Sequence, residues 1–133
     1  MNEAYQALVA TKALLASQGI GVATWHNLVA AYGSSVEAYK FLSKERTLAS
    51  LSSAKRALDN TYKAGIKVLA LQSALYPKLL SVIKDAPPLI YIKGNEKLLS
   101  NPCSLAVVGA REASLHGRQL AYGIAKDLSD QDA

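Results

Sequence analysis

The residues best placed to do chemistry are Gly109, Arg111, Ser114 and Gly117, all within Leu105-Ala-Val-Val-Gly-Ala-Arg-Glu-Ala-Ser-Leu-His-Gly117. The apolar, β-branched run Leu105–Val108 predicts a short strand buried on both faces. Gly109 breaks that run where the backbone must turn. Ser114 is placed to cap a helix whose apolar positions, Leu120, Ile124 and Leu128, lie four apart. A strand, a glycine loop and a helix N-terminus together make an anion site, because the free N–H groups and the positive end of the helix dipole point at the loop. Arg111 adds a permanent charge with a donor fork that suits phosphate, and Arg118 and Lys93 would extend the track. The spacing fits neither a dinucleotide fingerprint nor a P-loop. The same residues also suit an ordinary strand-to-helix connection, with Gly109 relieving strain, Ser114 capping and Arg111 solvated.

Other chemistries lack their residues. His26 and His116 are far apart in sequence, and no His/Cys/Asp set has metal-ligand spacing. Cys103 and Ser114 have no base in sequence context, and no pair of carboxylates stands out. The expectation is a non-enzyme with no metal and no cofactor. The lone Cys103 excludes an internal disulfide and fits a reducing, cytoplasmic setting. No apolar run approaches a membrane span, and Met1-Asn-Glu-Ala lacks the basic and apolar regions of a signal peptide. The 133 residues carry a formal charge of +5. The basic excess is central: Lys63, Lys67, Lys78, Lys84, Lys93, Lys97, Arg111 and Arg118 face only Asp85, Glu96 and Glu112 in that stretch. Such a balance favours a polyanionic partner, and it also suits a merely solvated surface.

The elements that must position these residues fall into two patterns. Through Ala64 the chain reads as helices. Ala4, Ala7, Leu8, Leu14 and Leu15 give a first helix that stops at Ser17-Gln-Gly-Ile-Gly21. Thr24 caps a second, with Trp25, Leu28, Val29 and Tyr32 aligned and Gly33 ending it; Trp25 reads as core. Ser35 caps a third and Ser53 starts a fourth, with Gly65 just past its end. The Gly19-Ile-Gly21 turn between the first two helices suits a helix-hairpin-helix, whose backbone amides can meet phosphate. No Lys or Arg lies between Gly19 and Tyr39, so a structural or protein-contacting role is expected there. From Gly65 the period changes. Ile66–Leu71 and Leu89–Ile92 read as strands, with a short helix after Tyr76-Pro77, a turn at Gly94-Asn95, a helical turn near Leu98-Leu99 and a third strand, Ser104–Val108, after Pro102. Strands alternating with helical connections predict an α/β doubly wound sheet. The expected division is 1–64 helical and 65–133 α/β.

The ordered segments Leu75-Tyr-Pro-Lys-Leu-Leu80, Ile83-Lys-Asp-Ala-Pro-Pro-Leu-Ile-Tyr-Ile-Lys-Gly-Asn95 and Ala106-Val-Val-Gly-Ala-Arg111, followed by Ser114 and Gly117, resemble the DprA/Smf family of DNA-processing proteins of natural transformation. The likeness runs from about Ala64 to Leu128, and the helical N-terminal part is similar to the family's helix-hairpin-helix, or sterile-alpha-motif-like, domain. The resemblance implies a Rossmann-like core, homodimerisation, binding of single-stranded DNA at Gly109–Gly117 and loading of the RecA recombinase, with no catalysis. It also implies further strands and motifs after Ala133. The chain therefore reads as an N-terminal part lacking the C-terminal half of the Rossmann-like core. With an uncovered strand edge, self-association or partial disorder is expected from about Asn101, while Ala4–Tyr62 stays folded. Two other readings stand beside this one. One is a nucleotide-binding protein of the phosphoribohydrolase (lysine-decarboxylase-like) type, which would want a Pro-Gly-Gly-x-Gly-Thr motif that is absent. The other is a protein-interaction module.

Overall fold

Each of the first four helices begins where a residue with extended backbone stands ahead of an apolar stripe. The computed structural model describes residues 2–101 and 104–130, forming one compact unit through Ser100 and another from Asn101. Helix α1 (Glu3–Leu15) is capped by Asn2, whose Oδ1 accepts from the Ala4 amide at 3.1 Å. Helix α2 (Val22–Tyr32) starts after Gly21 rather than at Thr24, and ends at Gly33 with φ 82°. Helix α3 (Ser35–Glu45) is capped by Ser34, not Ser35, through the Glu37 amide at 3.2 Å. Helix α4 (Leu51–Lys63) is capped by Ser50 rather than starting at Ser53, whose amide donates to the Ser50 hydroxyl at 3.2 Å. Gly65, at φ 72°, then lets the chain leave α4 through a left-handed turn closed to non-glycine residues at low cost.

Two strands follow, β1 (Lys67–Ala70) and β2 (Leu89–Ile92). They pair antiparallel, Lys67 opposite Ile92 and Ala70 opposite Leu89, as a sheet of two. The parallel, doubly wound arrangement expected from the alternation of strands and helices is thus not what these strands form. A parallel crossover needs a helix long enough to lie along the sheet. The connection here holds only the single turn α5 (Lys78–Ser81). Its ends are tied like a wide hairpin, by Leu71 N–H to the Pro88 carbonyl at 3.0 Å and the Tyr76 hydroxyl to the Pro87 carbonyl at 2.8 Å. The expected third strand is also corrected: Leu105–Val108 adopts no regular structure, and Leu105 and Val108 are largely exposed. A ladder needs a neighbour, and among the described residues β1 and β2 pair only with each other. Pro102 and Cys103 lie outside the described residues.

The change of pattern at Ala64 falls inside the first unit, because the hairpin shares a core with the helices. Val9 and Ala13 of α1, Ala54 and Leu58 of α4, Val68 of β1 and Leu89 of β2 form one cluster. Leu14, Ile20, Trp25 and Ala38 form a second on the other side of α1, with Trp25 in the core as its position on the apolar stripe predicts. A helical turn, Glu96–Ser100, closes the first unit. The second unit contains α6 (Leu115–Ser129), as the four-residue apolar spacing predicts, and none of its described residues is buried.

Two outcomes follow from this packing. Leu58 is 0% exposed at the meeting of α1, α4 and β1. Leu58→Ala should lower unfolding stability by about 2–5 kcal/mol, read from urea denaturation; a loss below about 1 kcal/mol would contradict the core assignment. Tyr5 donates its hydroxyl to Asp59 Oδ1 at 2.6 Å, and this bond, with burial, pushes the phenol up to about 12. A phenol raised in the folded state contributes stability that is complete below its unfolded pKa of ~10 and is lost as pH climbs through the folded value. Wild-type stability should therefore fall between pH 10 and about 12, and Tyr5→Phe should fall less steeply. Burial also raises Tyr62 and Tyr76, so the variant keeps part of the slope. Identical alkaline limbs for the two proteins would remove this account.

Candidate nucleic-acid interface

The loop 109–114 and the start of α6 are built by one hydroxyl. Ser114 has extended backbone (φ −60°, ψ 160°), and its Oγ accepts from the Gly117 amide at 3.1 Å. Its carbonyl takes the Arg118 amide at 3.0 Å. Of the four N–H groups that a helix start leaves over, Ser114 to Gly117, only Gly117's is capped, and those of Leu115 and His116 lie in the first helical turn, directed to the N-terminal side. The helix dipole adds partial positive charge at the same end. Arg111 lies in the turn just before it, exposed and without an ion pair among the described residues. Arg118 follows in the first turns of α6, exposed like Arg111.

Glycine is not demanded at 109 by the chain itself. Its φ is not in the left-handed region, and a Cβ there would meet nothing within 4 Å. A Cβ on Gly117 would reach only ordinary contact, 3.4 Å from Ser114 Oγ. Both positions thus leave backbone open to close approach from outside. Four of the residues singled out in the sequence, Gly109, Arg111, Ser114 and Gly117, with Arg118, are gathered on this one loop and helix start. Lys93 belongs to the other unit, exposed just past β2 and followed by Gly94 at φ 118°.

The Gly19-Ile-Gly21 turn has a sufficient explanation inside the fold. Gly19 takes φ 76° and Ile20 plugs the second core at 5% exposure. Sequence order hid one cation here, since Arg46, at the end of α3, donates from Nη2 to the Gln18 carbonyl. No local signal could have placed it, because only the packing of α3 on α1 and α2 brings it there. A groove of about 310 Å3 between α1, α3 and α4 is lined chiefly by apolar groups such as Val9, Ala10, Val36 and Tyr39. The two lysines at its rim are already paired, Lys40 with Glu37 and Lys55 with Asp59, each at 2.8 Å. His26 is engaged with the Ala86 carbonyl at 2.9 Å, and His116 lies in the other unit. Among the described residues no cluster of His, Cys, Asp or Glu could hold a metal ion, and no helix is long and apolar enough to cross a membrane.

The second unit thus carries, on one loop and helix start, two glycines open to approach, the free amides of Leu115 and His116, a hydroxyl and two exposed guanidinium groups, the kinds of group that hold phosphate oxygens. The family model described as DNA recombination-mediator protein A matches residues 67–133, which include this loop. The DNA processing protein DprA of Bacillus subtilis (strain 168) is 30% identical over 73 residues, 55% of this chain and 25% of that protein. The chain thus spans a quarter of the length of that relative. With half its residues under the family model, the chain belongs to the DNA recombination-mediator protein A family.

Proposed function

We propose that this chain works in DNA processing for recombination by holding single-stranded DNA along Gly109–Arg118. The observation that carries the reading is Gly109, a glycine that neither backbone conformation nor packing requires, beside an exposed Arg111 with no ion pair among the described residues and the open amides of α6. In this reading the backbone approaches at Gly109 and Gly117, Arg111 holds phosphate oxygens, and the Ser114 hydroxyl, already an acceptor, donates its own proton. Arg118 adds charge within the same unit, and Lys93 is an exposed cation of the first unit. Phosphate contacts carry little sequence information, so binding is sequence-tolerant and salt-sensitive.

Within the same proposal, the helical segment is the family's helix-hairpin-helix or sterile-alpha-motif-like part, and 65–133 is the first part of its Rossmann-like domain. The whole protein would act as a cytoplasmic homodimer that shields incoming DNA and passes it to the RecA recombinase. No group in the loop is asked to do catalysis, because binding alone serves that role.

Fluorescence anisotropy with labelled oligo(dT), from low to moderate salt, tests the reading. Arg111→Ala should weaken binding by about 1–3 kcal/mol, the range for a charge-assisted hydrogen bond. It should also reduce the slope of log affinity against log salt by roughly 0.7, the single-strand value for one phosphate contact. Lys44→Ala, at an exposed position of α3, should change neither. Equal affinity and slope for wild type and Arg111→Ala would reduce the loop to a plain connection into α6.

A further inference from the structure

Away from the loop, three tyrosines from three elements line the seam between α1, α4 and the hairpin. Tyr5 of α1 is half-buried against the core, Tyr62 of α4 is 37% exposed, and Tyr91 of β2 is 48% exposed. Tyr91 lies opposite Val68, so it shares the sheet face that carries Val68 and Leu89 into the core, yet it emerges at the edge. Its hydroxyl accepts from Lys12 Nζ at 2.8 Å, with that ammonium 5.3 Å from the ring centre. Those two distances put the ammonium at the hydroxyl end of the ring, not over its face. Tyr62 stands one turn beyond Leu58 on the same face of α4, and Leu58 shares the core with Val68, the strand partner of Tyr91.

The charges along this seam are mostly positive. Lys12 stands at one end and Lys55 at the other, its ammonium 6.0 Å from the Tyr5 ring centre, with exposed Lys63 beside them on α4. The acid among them, Asp59, is engaged on both oxygens, by Tyr5 at 2.6 Å and by Lys55 at 2.8 Å. Lys12 keeps two ammonium protons that Tyr91 does not use. Exposed tyrosine rings with cations at their margins suit a strand whose bases are unstacked: rings take the bases and ammonium groups take the phosphates. A duplex, with its bases paired inward, would leave the rings without partners.

We propose that Tyr91 and Tyr62, flanked by Lys12 and Lys63, form a second contact surface for single-stranded DNA on the first unit, distinct in chemistry from the glycine loop. The proposal rests on the reading of single-stranded DNA as the ligand. The loop grips phosphate, and the tyrosine row recognises that bases are present and unpaired.

Two probes of equal length, oligo(dT) and an abasic oligonucleotide, separate the two surfaces in anisotropy measurements on the 133-residue chain. Tyr91→Leu keeps an apolar side chain but has no ring, and should lose about tenfold in oligo(dT) affinity with no change for the abasic strand. Tyr91→Phe keeps the ring and should bind oligo(dT) like wild type, which also guards against a merely structural role. Ultraviolet cross-linking to an oligonucleotide carrying 5-iodouracil should mark peptides containing Tyr62 or Tyr91. If Tyr91→Leu binds oligo(dT) as wild type does, or if cross-links map only to 105–118, the surface is not a base platform, while the loop reading stands. A loss on Tyr91→Leu with none on Arg111→Ala would support this surface and remove the loop. No binding of oligo(dT) by wild type would remove both.

Discussion

One buried oxygen fixes the relation of the first three helices. The Ser35 hydroxyl accepts from Thr11 Oγ1 at 2.7 Å and from the Trp25 indole N–H at 3.0 Å, in a site where Trp25 is 1% and Ser35 6% exposed. Away from water, an unpaired indole or hydroxyl costs more than a made bond contributes, so α1, α2 and α3 are held to the one arrangement that satisfies all three. With α1 so placed, Leu14 closes on Trp25 and Ala38, and its opposite face presents Val9 and Ala13 to α4 and the hairpin. Ser17 repeats the device at the end of α1, donating to the Ala13 carbonyl at 2.8 Å and accepting from the Ala49 amide at 2.9 Å. The turn into α4 is thereby pinned beneath α1. The seam between α1, α4 and the hairpin, on which Tyr5, Tyr62 and Tyr91 stand, is a consequence of that placement.

The same network shows what local sequence could and could not disclose. The four helices were legible from apolar spacing, since each buries one stripe. Their caps were not always, because adjacent residues compete for the role. Ser35 cannot cap α3 while its hydroxyl holds Thr11 and Trp25, so Ser34, with extended backbone, does so. Thr24 loses to Gly21 because α2 starts a turn earlier, directly behind the buried Ile20. Ser114 has no such competitor, and there the sequence reading and the structure agree. Strands were legible only where their partner lies in the same unit. Ile66–Leu71 and Leu89–Ile92 find each other, whereas Leu105–Val108 has the composition of a strand but no ladder among the described residues.

The two candidate surfaces differ in the same way. Gly109, Arg111, Ser114 and Gly117 are neighbours in sequence, and their chemistry could be read from type and spacing alone. Tyr5, Tyr62 and Tyr91 are distant in sequence and come to one seam only through helix packing and strand register. Arg46 reaches the α1–α2 turn by the same non-local route. Short-range order disclosed the candidate loop, and tertiary packing was needed to bring the tyrosines together.

The central claim is that the open loop ahead of α6 is where this chain meets single-stranded DNA. Amide hydrogen exchange, followed by residue with and without saturating oligo(dT), tests it most directly. The account predicts added protection at Gly109–Arg118, strongest at the Leu115 and His116 amides that have no acceptor within the helix. Unchanged exchange across Gly109–Arg118, in a complex whose formation is verified by anisotropy, would contradict it.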